Sequence, residues 1–229
     1  KSIVITDEVI KKNRLVVNIT ERINILDVGC GAGHFLKACE LKNIEAEGIE
    51  ANEILCKFSK KFLKKNKLFN VNLNDFENEI LKTKKSCVSL IGVLEHLTEP
   101  HKVFRAFKKS KAEYLFISVP LASFTIFIEH AFENIFPRHL SGTHTHLFTE
   151  KSINFLKKKY NLAIVGEWWF GLDFADLFRS IIVSSKAKEN KIYKLKLEEY
   201  FYRYIDKLQN ILDKNKNCSE VHLIFKKKK

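Results

Sequence analysis

Methionine is absent from all 229 residues. A chain of this length ordinarily carries several, and a residue lost at such a position would shorten the spacing around it by one. Proline occurs 3 times and glycine 8 times, a profile that excludes disordered and low-complexity chains and fits a globular one. The 5 cysteines (Cys30, Cys39, Cys56, Cys87 and Cys218) are odd in number and include no C-x-x-C. That excludes a disulfide scaffold and predicts free thiols in a reducing, cytoplasmic setting. No stretch reads as a signal peptide. The most apolar run, "YLFISVPLASFTIFI", is interrupted by Pro120 and by serines. It is shorter than the roughly 18 residues a membrane span needs, so none is expected.

Apolar and basic residues are plentiful. The hydrophobic share is 45%, with 19 phenylalanines, enough for one domain carrying a sizeable insertion. The net charge is +13, mostly lysine. Lysine pairs recur in "SKKFLKKNK" and "FLKKKY", as on solvated helix faces. The same field would also attract an anionic substrate or a nucleic acid.

Strand and helix signals alternate along the chain. Ile23–Val28 and Cys87–Val93 read as buried parallel strands. Glu45–Glu50, Tyr114–Pro120, "LAIVGEWWF" and "EVHLIF" read as further strands, and Leu68–Leu73 as one nearer the sheet edge. Helices are predicted from His34, after Asn52 with Ile54, Leu55, Phe58, Phe62 and Leu63 on one face, after Thr98 and Pro100, and after Thr149. Repeated βα units predict an α/β fold: a doubly wound, mostly parallel, seven-stranded sheet in one domain over residues 1–229. Two segments break the repeat. Residues 121–148, with His130, His139, His144 and His146, read as a substrate lid. Residues 171–217 read as a helical insertion, in which Leu197, Phe201, Ile205, Leu208 and Leu212 line one helix face that a second copy could cover.

The chemistry concentrates in "INILDVGCGAGHFLKA", Ile23 to Ala38. A strand running through a glycine turn into a helix is the nucleotide-binding entry of a doubly wound fold. Gly29 permits the tight turn, Gly31 a close backbone approach to a ligand, and Gly33 close packing of helix on strand. The spacing is G-C-G-A-G rather than G-x-G-x-x-G, and Asp27 immediately before it would repel a pyrophosphate. An acid there suits positive charge, and Glu50 at the end of the second strand is placed for two ribose hydroxyls. A ligand with a ribose, an ammonium and a sulfonium satisfies both acids.

With "ILDVGCGAG", "GIEAN", "NDFEN" and "VLEHLTEP" in place, the chain resembles the class I S-adenosylmethionine-dependent methyltransferases over about residues 20–170. The resemblance implies a Rossmann-like methyltransferase fold with S-adenosylmethionine as cofactor. It implies that Asp27, Gly29 and Gly31 contact the methionine part and that Glu50 holds the ribose. It further implies that Asp75 or Phe76 sits by the adenine and that Ile91 and Gly92 line the cofactor. "PRHLSGTHTHLFTEKS" is similar to a segment of methyltransferases acting on quinone precursors and sugars.

Methyl transfer to a hydroxyl benefits from a base, and histidine has the suitable pKa. His144 and His146 are two apart and would face one side of an extended segment, as a base and its partner or as packing residues. His96 follows the fourth strand and is a third candidate, with the neighbouring Glu95 as a loop or helix-start carboxylate. No metal is expected, since no third ligand stands at a convincing spacing. Trp168, Trp169, Asp173 and Arg179 combine aromatic faces with an acid and an arginine, as a sugar bearing a phosphate or nucleotide would require, or as core packing with an ion pair would. The expected activity is O-methylation of a small molecule such as a sugar or nucleotide-linked sugar. An RNA methyltransferase is the alternative the charge supports, although an arginine-rich stretch and an N-P-P-Y tetrapeptide are lacking. A nicotinamide-dependent dehydrogenase is disfavoured by the glycine spacing. A binding module that kept the fold without turnover is the non-enzymatic alternative.

Overall fold

The computed structural model describes residues 23–132, 135, 137–140, 142–185 and 189–228. The start of the expected domain, four positions of the lid segment (133, 134, 136 and 141) and three of the insertion (186–188) lie outside them. Seven strands form one sheet: β1 Asn24–Val28, β2 Glu45–Glu50, β3 Lys67–Asn70, β4 Cys87–Ile91, β5 Tyr114–Pro120, β6 Leu162–Phe170 and β7 Glu220–Lys227. Their order is β3-β2-β1-β4-β5-β7-β6. All neighbours run parallel except β7, which is antiparallel to both β5 and β6.

Among the described residues the helices are α1 His34–Leu41, α2 Glu53–Ser59, α3 Phe76–Lys82, α4 Pro100–Lys109, α5 Phe124–Ala131, α6 Glu150–Lys159, α7 Asp173–Ser184, α8 Lys191–Tyr202 and α9 Ile205–Lys214. Strand alternation sends neighbouring side chains to opposite faces, and both faces are covered. Ile25 and Cys87 pack with Leu36 and Cys39 of α1. Leu26, Val88 and Leu115 pack with Phe76, Ile80, Phe104, Phe107, Ile153 and Leu156 of α3, α4 and α6. Ends of helices follow local chemistry. The Asn52 carboxamide accepts from the N–H groups of Ile54 and Leu55 at the start of α2. Thr149 and Ser152 form a reciprocal capping box at α6.

Several expectations change. The helix after Asn52 stops at Ser59, so Phe62 and Leu63 lie beyond it. Pro100 is the first residue of α4, with Glu99 and not Thr98 at its cap. The helix expected through Leu197–Leu212 is broken after Tyr202 into α8 and α9. Its face turns inward on the same chain: Phe201 stacks on Phe178 with ring centroids 4.1 Å apart, and Leu212 packs against the main core.

Asp173 is the knot that fixes the insertion. Its carboxylate, fully buried, accepts from Ser123 Oγ at 2.8 Å, Thr125 Oγ1 at 2.7 Å, Gln209 Nε2 at 3.0 Å and Ser219 N–H at 3.0 Å. One acid thereby joins α5, α7, α9 and the approach to β7. Burial opposes its charge, but the four donors outweigh that and hold its carboxyl below the usual range. A lowered folded pKa supplies stability at neutral pH that fades as pH falls through it. Asp173→Ala is expected to cost about 3 kcal/mol at pH 7, read as a lower urea midpoint at unchanged slope. The gap to the parent should narrow in acid.

Candidate functional site

The strand order reverses between β1 and β4, the place where open α/β sheets bind ligands beyond their carboxyl ends. The glycine turn lies there. The N–H groups of Gly29 and Cys30 both donate to the Ile49 carbonyl, at 2.9 and 3.1 Å, folding the chain tightly against β2. Gly29 has φ +68°, and a Cβ there would meet Val93 Cγ2 at 2.7 Å. Gly31 has φ +56°, yet a Cβ there would meet nothing within 4 Å, because it faces the open cleft. Glu50 ties the turn down: one carboxylate oxygen accepts from the Gly31 N–H at 2.8 Å and the other from the Asn52 N–H at 2.8 Å.

A cavity of about 760 Å³ opens from this turn. Its first end is lined by Asp27, Gly29, Gly31, Ile91 and Gly92, with Glu95 beside Gly92, its walls by His34 and Phe35 of α1 and Phe116 and Ser118 of β5, and its far end by Arg138, His139, His144, Glu220 and His222. Asp27 is 2% exposed, and its carboxylate accepts from Ser89 Oγ at 2.7 Å. Burial pushes its carboxyl up to about 7. Among the described residues this buried acid has no ion-pair partner, and a cation in the cleft would complete it.

Loop contacts shape the far end. The Glu129 carboxylate accepts from the N–H groups of Arg138 at 2.7 Å, His139 at 2.9 Å and Leu140 at 2.8 Å. The His139 carbonyl then faces His144 Nδ1 at 3.0 Å. Residues 143–146 dock on the turn after β4: the Thr145 N–H donates to the Glu95 carbonyl at 2.7 Å, and Thr143 O faces His96 Nδ1 at 3.0 Å. Burial lowers the pKa of His144, and it pushes that of His222 down to about 4, so both are neutral at pH 7. Both cations in the wall are paired. Arg138 contacts Asp176 at 3.0 Å and Glu220 at 3.0 Å, and Lys37 bonds Glu40 at 2.8 Å.

Of the residues singled out in the sequence, Asp27, Gly29, Gly31, Ile91, Gly92 and His144 come together in one cavity. Gly33 lies just behind them as the cap of α1, and Glu50 holds the turn from outside the cavity wall. Asp75 is exposed and Phe76 is buried in the core, so neither lines the cavity. His96 packs against His144, rings 4.8 Å apart. His146 does not accompany His144. Its Nδ1 lies 2.8 Å from Thr145 Oγ1, and it lies outside the cavity wall. The four residues read as a ring-and-phosphate site do not converge. Trp168 stacks on Phe170 and abuts His222, whereas Trp169 lies under the Lys216 ammonium. Asp173 is the buried knot above, and Arg179 pairs with Asp176 at 3.1 Å. Glu95, Glu129, His139 and His222 shape the site without having been picked out as its residues. A histidine flanked by apolar residues in "VHLIF" was the available signal for His222.

A methyltransferase-domain family model matches residues 8–167. No curated protein matches the sequence. The fold is similar to a SAM-dependent methyltransferase from Archaeoglobus fulgidus (18% identity, 97% of this chain and 95% of that one, TM-score 0.58). It is also similar to the magnesium protoporphyrin IX methyltransferase from Synechocystis PCC 6803 solved with SAH (12%, 97% and 81%, 0.57), and to a cyclopropane synthase from Mycobacterium tuberculosis (12%, 90% and 78%, 0.55).

The electrostatics of Asp27 give a stability test. Its folded pKa lies above the unfolded value, so the folded state keeps a proton that the unfolded chain releases, and stability falls as pH rises from about 4 to about 7. Asp27→Asn removes that titration. The variant should gain on the parent across this window, by on the order of 4 kcal/mol at pH 8; parallel stability curves would contradict it.

Proposed function

Because the chain belongs to the methyltransferase-domain family, we propose that it transfers a methyl group from S-adenosylmethionine to an oxygen of a small, polar, uncharged acceptor, a sugar being the best fit. The single observation that carries this is the cavity joining a buried, unpaired acid at the glycine turn to a histidine-lined far end. The residues fit the cofactor. The open cleft at Gly31 admits a ligand against bare backbone, and Asp27 waits for a cation. Asp27 would take the ammonium, Ile91 and Gly92 would flank the nucleoside, and Glu50 would turn its remaining lone pairs to the ribose. When bound, the cofactor supplies an electrophilic methyl on a sulfonium.

The chain's own contribution is alignment, exclusion of water and a basic atom for the acceptor proton. His144 Nδ1 faces a carbonyl, which only accepts, so its proton sits there and Nε2 presents a lone pair. Phe116, His139, His144 and His222 would line the acceptor's place. The sequence reading of a phosphate-bearing acceptor loses support, since Arg138 and Lys37 are already paired with acids. All five cysteines are free thiols, which supports a reducing compartment. Among the described residues no helix is long and apolar enough to cross a membrane.

Calorimetry with S-adenosylmethionine tests the reading. Binding should tighten as pH rises through about 7, where Asp27 ionises, and Asp27→Asn should flatten that dependence. Gly31→Val and Glu50→Ala should each weaken binding by about tenfold or more, roughly 1.4 kcal/mol. Binding of a dinucleotide in place of S-adenosylmethionine would overturn the assignment.

A further inference from the structure

Glu95 and His144 line the cavity and His96 packs beside them, although the sequence offered no third metal ligand beside His144 and His146. One candidate ligand atom from each side chain lies within 4.8 Å of the others. Three observations point to an occupant. Glu95 is 4% exposed, and its Oε2 is buried with no hydrogen-bond partner, an expensive state for a carboxylate. Both imidazoles turn Nδ1 to a backbone carbonyl: His96 to Thr143 O and His144 to His139 O, each at 3.0 Å. A carbonyl accepts only, so the neutral form of each ring carries its proton on Nδ1 and offers Nε2 as a lone pair to a metal. Histidines that ligate metals are held in this way, with the second nitrogen fixed by a carbonyl or carboxylate.

We propose that Glu95, His96 and His144 bind one divalent transition-metal ion. Two imidazoles and one carboxylate suit zinc and its first-row neighbours, and they leave a coordination position open toward the cavity. The present spread exceeds the about 3.3 Å between ligands placed 2.0–2.1 Å from a tetrahedral zinc. His96, exposed on its loop, has room to close it. The open position would receive the acceptor hydroxyl and lower its pKa, so that its proton passes to solvent water and His144 serves as a ligand and not as a free base. That use rests on the methyl-transfer reading; ion binding itself does not.

The test is titration of the chelator-treated full chain with Co²⁺, followed by visible absorption, and with Zn²⁺, followed by calorimetry. One ion per chain is expected, with a cobalt spectrum of low coordination number. His96→Gln and His144→Ala should each weaken binding by more than about tenfold, Glu95→Gln likewise, and His146→Ala should bind as the parent does. His96 is exposed, so its replacement leaves the fold intact, and S-adenosylhomocysteine binding on the same variant checks this. Absence of saturable binding, or parent affinity retained in both His96→Gln and His144→Ala, would overturn the proposal. If the ion fails while the nucleoside binds, the metal site falls and the free-base role of His144 stands. If the nucleoside fails instead, the methyl-transfer reading falls, and the metal site is decided by its own titration.

Discussion

Asp27 stands near the end of β1, nearly sealed from water, and accepts a hydrogen bond from Ser89. Leaving a carboxylate there is costly, and among the described residues no ion pair offsets it. The glycine turn cannot remove the problem by wrapping the acid, because its N–H groups are committed elsewhere: two to the Ile49 carbonyl and one to Glu50. The site is therefore built around a deficit of positive charge. A sulfonium nucleoside with an ammonium group meets that deficit; a diphosphate deepens it.

The rest of the architecture holds this deficit in place. β1 lies between β2 and β4, so the turn is clamped by Ile49 on one side and Val93 on the other. The antiparallel β7 brings His222 and Glu220 beside Ser118 and Pro120, forming the wall opposite the turn. Glu129 and Asp173, two buried acids well supplied with donors, fix the loop of residues 138–140 and the helical insertion. The contrast among buried carboxylates is informative. Those two have several donors each and lowered pKa values, so they are structural. Asp27 and Glu95 have few donors, burial raises their pKa values, and both line the cavity.

The frame was legible in the sequence because strand and turn chemistry are local. β2, β5 and β6 end where the glycines, prolines and apolar runs said they would. Asn52 and Thr149 announced their helices through capping. The acceptor end was not legible, because it is assembled from segments far apart in the chain. Nothing near Asp173 reveals that Ser123, Thr125, Gln209 and Ser219 converge on it. Trp168 and Trp169 look like a pair, yet successive strand residues point to opposite faces, so they cannot share one ring site. His144 and His146 parted because the segment docks through Thr145 on Glu95 and is not a regular strand.

The most direct measurement is a crystal structure with S-adenosylhomocysteine bound. The account predicts the nucleoside between the 29–31 turn and Ile91–Gly92, with its ammonium in hydrogen-bond reach of Asp27. A ligand seated elsewhere, or one that leaves Asp27 without a cationic partner, would contradict it.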